Sequence, residues 1–152
     1  MGSESNRIQE QLQRAFAGRA WHGPALLELL ADVDARKANA RPIPAAHTIW
    51  ELVLHVAAWN NAVVRRLSGD QADLTAEEDF PAVTDVSEKA WQQTIDTLKR
   101  SQRELQYAIG ALDEAWLDQP IVSGKATVYG TLHGVIQHGL YHAGQIALLK
   151  KA

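Results

Sequence analysis

The chain has 152 residues and not one cysteine. That excludes disulfides, thiolate metal sites and a cysteine nucleophile, and it leaves nitrogen and oxygen as the donors for any metal. An intracellular, reducing compartment is compatible with this. Basic residues are not in excess: 15 Lys and Arg stand against 18 Asp and Glu, giving a net charge of −3 and a pI near 6.0. No Lys/Arg block occurs beyond "LKR" and "LLKK" at helix ends, so the electrostatic footprint of a nucleic-acid binder is missing. No stretch reaches the roughly 18 apolar residues that a membrane span needs. The N-terminal "MGSESNRIQEQLQRAF" has no apolar h-region of the signal-peptide kind, and Asn6 stands where a myristoylated Gly2 would want Ser or Thr. A cytoplasmic protein without membrane or nucleic-acid partners is expected. Strand patterns, internal repeats and low-complexity tracts are absent as well.

What is there is helical. Hydrophobic residues make up 46% of the chain, enough for the core of a single domain over 1–152. Four long patterns stand out. In "SNRIQEQLQRAFAG", Ile8, Leu12 and Phe16 recur at four-residue spacing before a capping Gly18. "WHGPALLELLADV" follows as a short segment, with Pro24 expected in its first turn. Thr48 and Glu51 have capping-box spacing and open a helix with the stripe Leu52, Val56, Trp59, Val63 and Leu67, ending near Ser68-Gly69. From Gly69 to Val83 the chain is acidic and irregular, long enough for a crossover instead of a tight turn. Asp85 and Glu88 are expected to start the third long helix, with Trp91, Ile95, Leu98, Leu105, Ile109 and Leu112 on its inner face. After "DQPIVSGKA", the residues Val128, Leu132, Val135, Ile136, Leu140, Ala143, Ile146 and Leu149 mark the last helix. Its Lys150 and Lys151 suit the negative end of the helix dipole. The reading is an all-α bundle of four helices.

Five of the six histidines lie in two of these helices, in "HTIWELVLHVAAWN" and "HGVIQHGLYHAGQIALLKK". At about 100° per residue, His138 and His142 are about 40° apart and one turn apart, so both can point at one place. His133 lies about 140° from His138 and falls outside that pair. His55 sits between Leu52, Val56 and Trp59, on the face that turns inward. A bundle can close His55, His138 and His142 into a triangle from two helices. The plainer alternative is three buried polar rings bonded to neighbours, which is costly unless each finds a partner. Three neutral imidazoles suit zinc, nickel, iron or copper and leave a coordination position for water or substrate. The H-E-x-x-H of zinc proteases is missing, because Gly139 follows His138 where the Glu would stand. Around the triangle, Glu51 either orients His55 or simply caps its helix, and Gln145 either touches the site or packs beside it. Trp59 is the candidate pocket wall. His47 reads as a helix-start residue, and His22 as either the mouth of a pocket or an exposed turn. The five tryptophans read as mostly core or inter-helix packing.

"PIPAAHTIWELVLHVAAWNNAVVRRLSGD" and the later "LHGVIQHGLYHAGQIALLKK" together resemble the DinB-like (DinB/YfiT) superfamily. Its signature is one histidine on the second helix and an H-x-x-x-H-x-G-Q-I run on the last, and His55, His138, His142, Gly144, Gln145 and Ile146 stand at those places. The likeness spans almost the whole chain, since "WHGPALLELL" and "RPIP" also look like the family. It implies an up-down-down-up four-helix bundle, a divalent ion (nickel or zinc) on His55, His138 and His142, and a homodimer. Relatives include bacillithiol S-transferases and mycothiol-dependent maleylpyruvate isomerase, which use the metal to activate a low-molecular-weight thiol for attack on an electrophile. No residue here matches a thiol-binding motif.

The leading expectation is therefore a metal-dependent transferase acting on a small molecule with such a thiol as co-substrate. A hydrolase using metal-bound water and a non-catalytic metal-binding stress protein are the rivals, because an open position lowers the pKa of thiol and water by the same Lewis-acid effect.

Overall fold

The computed structural model describes residues 2–71 and 73–152. Met1, within the expected domain, and Ala72, within the expected crossover, lie outside the described residues. The fold is all-α. Four long helices, α1 (Glu4–Ala17), α4 (Ile49–Leu67), α6 (Glu88–Gly110) and α7 (Val128–Leu149), are joined by shorter ones, α2 (Leu26–Leu30), α3 (Ala35–Asn39) and α5 (Ala76–Asp79). Among the described residues the only β pairing is one isolated bridge between Pro120 and Thr127.

Each long helix begins at a hydroxyl that takes an otherwise orphaned N–H. Ser3 Oγ accepts from Asn6 N–H, Thr48 Oγ1 from Glu51, Ser87 Oγ from Ala90 and Thr127 Oγ1 from Gly130, at 3.0–3.2 Å. At α4 the box closes in both directions, since Thr48 N–H donates to Glu51 Oε2 at 2.8 Å. The start of α6 differs from expectation. Asp85 accepts from Ser87 N–H at 2.9 Å, a local turn that delivers Ser87 as the cap, while Glu88 accepts from Ala35 N–H at 2.8 Å and ties α3 to α6. Pro24 also misses the first turn of α2. It precedes the N-cap Ala25, whose N–H donates to Glu28 Oε2 at 2.7 Å.

Contact register gives the helix directions. Trp50 Nε1 donates to Thr94 Oγ1 and Asn60 Nδ2 to Ser101 Oγ, so position advances together along α4 and α6, and these neighbours run parallel. Ser5 N–H meets Glu114 and Gln9 Nε2 meets the Gln106 carbonyl, so α1 runs against α6. Leu52 shares a pocket with Gln145 and Leu149 while His55 meets His138, so α7 runs against α4. Two consecutive long helices in parallel require the chain to travel back along the bundle between them, and residues 68–87 do this. That stretch is not wholly irregular, as expected from sequence. Its middle winds into α5 because Thr75 and Glu78 form a second reciprocal cap, at 2.8 and 3.2 Å.

Trp50 and Trp91 fill the core beside each other, ring centroids 5.1 Å apart, and Trp91 Nε1 donates to the Val33 carbonyl at 2.6 Å. Trp21 and Trp116 are the exceptions within the expectation that the tryptophans mostly pack in the core or between helices. They are 102% and 58% exposed, because one lies in the turn after α1 and the other in a 3₁₀ turn at Glu114–Trp116, off any long helical stripe. The inner face of α7 is buried as read, apart from half-buried Leu140. Lys150 does more than face a helix end, since its ammonium donates to the Leu29 carbonyl at 2.6 Å and pairs with Asp32.

Candidate metal centre

His55 comes from the inward stripe of α4, His138 and His142 from successive turns of α7, and their rings converge. His138 Nε2 lies 2.9 Å from His55 Nε2 and 3.1 Å from His142 Nε2. His55 and His142 are buried and His138 is partly so.

The outer nitrogens fix what the inner ones can be. His55 Nδ1 is 2.8 Å from the Asp79 carbonyl oxygen, which only accepts, so Nδ1 carries a proton and, in the neutral ring, Nε2 presents a lone pair. His142 Nδ1 likewise faces Gln145 Oε1 at 2.6 Å, leaving its Nε2 bare. His138 is held neutral. Burial first, then the adjacent His142 and His55, push its pKa down to about 4. Burial also lowers His142, against the opposing effect of its bond to Gln145.

Three inward nitrogens, at least two of them lone pairs, thus crowd one point with at most one proton to share between them. The His138 Nδ1 is itself buried and without a hydrogen-bond partner. A cation satisfies this donor set where hydrogen bonds cannot. Nitrogens bound to one ion at about 2.0–2.1 Å stand about 2.8–3.4 Å apart, a range that includes the distances from His138 to His55 and to His142, 2.9 and 3.1 Å. One donor atom from each ring falls within 4.8 Å of the others, so the cluster can hold a metal ion.

Two residues that sequence reading passed over complete the surroundings. Asp79, the last residue of α5, places Oδ1 3.1 Å from His55 Nδ1 and accepts from Trp59 Nε1–H at 2.7 Å. Phe80 stacks on His55, centroids 4.0 Å apart, and on His47 at 3.9 Å. A signal for them existed in the T-x-x-E spacing of Thr75 and Glu78, which marks a helix start inside an otherwise acidic connection.

The remaining candidates separate clearly. Gln145 touches the cluster through His142. Trp59 lies 5.9 Å from the His138 ring and carries the Arg66 guanidinium 5.4 Å from its own centroid. Glu51 turns away to cap α4 and to pair with Arg41 at 2.7 Å and His47 at 3.2 Å, so the capping alternative is the one observed. Although burial opposes it, the Thr48 amide and Arg41 hold the Glu51 carboxyl below its usual range. His22 is exposed and lines a separate cavity of about 720 Å³ with Leu140 and Gly144, on the side of α7 away from His142. His133 packs against Tyr129 at 4.3 Å and takes no part.

The sequence profile of the DinB superfamily matches residues 20–146. A crystal structure from Enterococcus faecalis, described as a conserved protein of its locus, superposes with a TM-score of 0.74 at 20% identity. The match covers 99% of this chain and 97% of that one, and it is a likeness of fold. No curated protein matches the chain.

Proposed function

The chain belongs to the DinB superfamily, and from that premise we propose that His55, His138 and His142 hold one divalent ion, nickel or zinc, for a cytoplasmic transferase that joins a low-molecular-weight thiol to a small electrophile. The observation that carries this reading is the convergence of three Nε2 atoms whose outer nitrogens are already committed or buried. A bound divalent ion would supply Lewis acidity, lowering the pKa of a thiol at its free position.

The chain's own residues would prepare that position. Asp79 and Gln145 hold His55 and His142 in the tautomers that present lone pairs inward, so binding needs no ring rotation. Phe80 and Trp59 wall two of the rings with apolar surface, which limits the approach of water to a thiolate. A hydrolytic reading needs a carboxylate free to take a proton from water. Asp79 is the carboxylate placed beside the ligands, and its Oδ1 already accepts from Trp59 while facing His55, which favours the thiol reading. A homodimer belongs to the same proposal, with exposed Trp21, Tyr141 and Leu148 as apolar surface open to a second copy.

The test begins with elemental analysis of protein purified without a chelating column. About one divalent ion per chain, lost in His55→Ala and His142→Ala, is expected. Thiols are then screened against electrophiles with the loaded protein. Turnover that needs both thiol and metal supports the transferase, turnover without thiol supports the hydrolase, and a folded protein that takes up neither zinc nor nickel sinks both. Light scattering near twice 16.7 kDa is the dimer's test.

A further inference from the structure

We propose that Asp79, carried on the crossover instead of on either ligand-bearing helix, is a positioning residue that sets the metal affinity of the cluster through His55. This rests on the reading of His55, His138 and His142 as ligands.

His55 Nδ1 faces two acceptors from one residue, the Asp79 carbonyl at 2.8 Å and its carboxylate at 3.1 Å. The carbonyl alone would fix the tautomer. The carboxylate adds a negative charge behind the ring, which raises the electron density at Nε2 and makes it a stronger donor. That carboxylate is not free to wander. Trp59 Nε1–H, one turn further along α4, donates to the same Oδ1 at 2.7 Å, so a swing away would strand the indole proton. The next residue, Phe80, lies nearly parallel to the His55 ring, 6° between planes, and blocks its rotation. The Thr75–Glu78 capping box sets the single turn on which Asp79 rides. A connection that could have been any solvated loop is thus built to press one charged group and one flat ring onto a ligand 24 residues away in sequence.

The test uses metal-free full-length protein and zinc alone, with affinity read by competition against a chromophoric chelator. Asp79→Asn keeps the carbonyl and the side-chain shape but removes the charge. Its zinc affinity should fall roughly 10–100-fold, the usual range for losing such an outer partner, while the Tm of the metal-free form stays within about two degrees of wild type. Glu77→Gln removes an equal charge from the exposed neighbouring surface and should bind zinc as wild type does. Asp79→Ala serves if the Asn variant does not fold, with the same weakening expected. Cobalt(II) gives a second readout, since its visible bands should shift in Asp79→Asn and not in Glu77→Gln. Equal zinc affinity in wild type and Asp79→Asn overturns the inference and leaves the histidine reading standing. Equal weakening in Glu77→Gln also overturns it, by reducing the effect to net charge. A wild-type protein that takes up no zinc instead sinks the ligand assignment itself.

Discussion

His138 takes up a proton only near pH 4 in the folded chain, against 6.5 for an unperturbed ring, and His142 is shifted in the same direction. Between those values the unfolded chain binds more protons than the folded one, so stability from these groups is complete above about pH 6.5 and drains as pH falls toward 4. Melting in a chelator-buffered solution should therefore give a Tm that is level above about pH 7 and declines across that window, with a shallower decline in His138→Asn. A Tm independent of pH between 4 and 6.5 would contradict the burial of these rings as neutral bases. Carboxylates act in a lower window. The side-chain bonds of Lys150 to Asp32 and of Lys125 to Asp73 lower those two acids, so their contribution is lost only as pH falls further, below the ordinary carboxylate range. Trp91 makes a different kind of residue-scale prediction. It is fully buried and its indole proton is spent on Val33, so Trp91→Ala should cost about 3–5 kcal/mol in urea unfolding, far more than Trp21→Ala at a fully exposed site.

At the scale of the element, caps decide where helices begin. Thr48→Ala removes the hydroxyl that accepts from Glu51 N–H while keeping the backbone N–H that bonds Glu51 Oε2, and it should lower stability by about 1 kcal/mol, read as a shift of the urea midpoint. Thr75→Ala does the same to a helix of four residues with no buried side chain, so global stability should barely move while zinc affinity falls, because that turn carries Asp79 and Phe80. Here the limits of the sequence are plain. The three histidines could be placed together because α4 and α7 are long, strongly patterned helices on which angular position follows from residue number. Asp79 and Phe80 could not, because their contacts depend on how a short acidic segment lies across the bundle, and no periodicity encodes that. Glu51 was ambiguous for the opposite reason. Its spacing fits both a cap and a ring partner, and only the geometry of Arg41, His47 and Thr48 around it decides. Trp21 and Trp116 fall outside the mostly inward set because the rule that aromatics at helical spacing point inward says nothing about residues in turns.

For the whole molecule, helix content and the order of long elements could be read from the stripes, and the length of the Gly69–Val83 stretch already argued against simple alternation. The parallel run of α4 and α6 needed the contacts Trp50–Thr94 and Asn60–Ser101 to be seen. Among the described residues, no helix is long and apolar enough to cross a membrane. Because the full donor set exists only in the folded bundle, zinc or nickel should raise Tm in proportion to the logarithm of its concentration, by about 2.7 kcal/mol of stability at a hundred times Kd, and a chelator should reverse it. The pairing of His55 with His138 spans 83 residues of chain. An ion gripping both ends would close that span as a cross-link, and polymer closure entropy for a loop of this size is worth about 4–5 kcal/mol. A protein that has given up sulfur bridges altogether would thus possess one reversible staple, fastened between its second and last long helices and undone by acid or by a competing chelator.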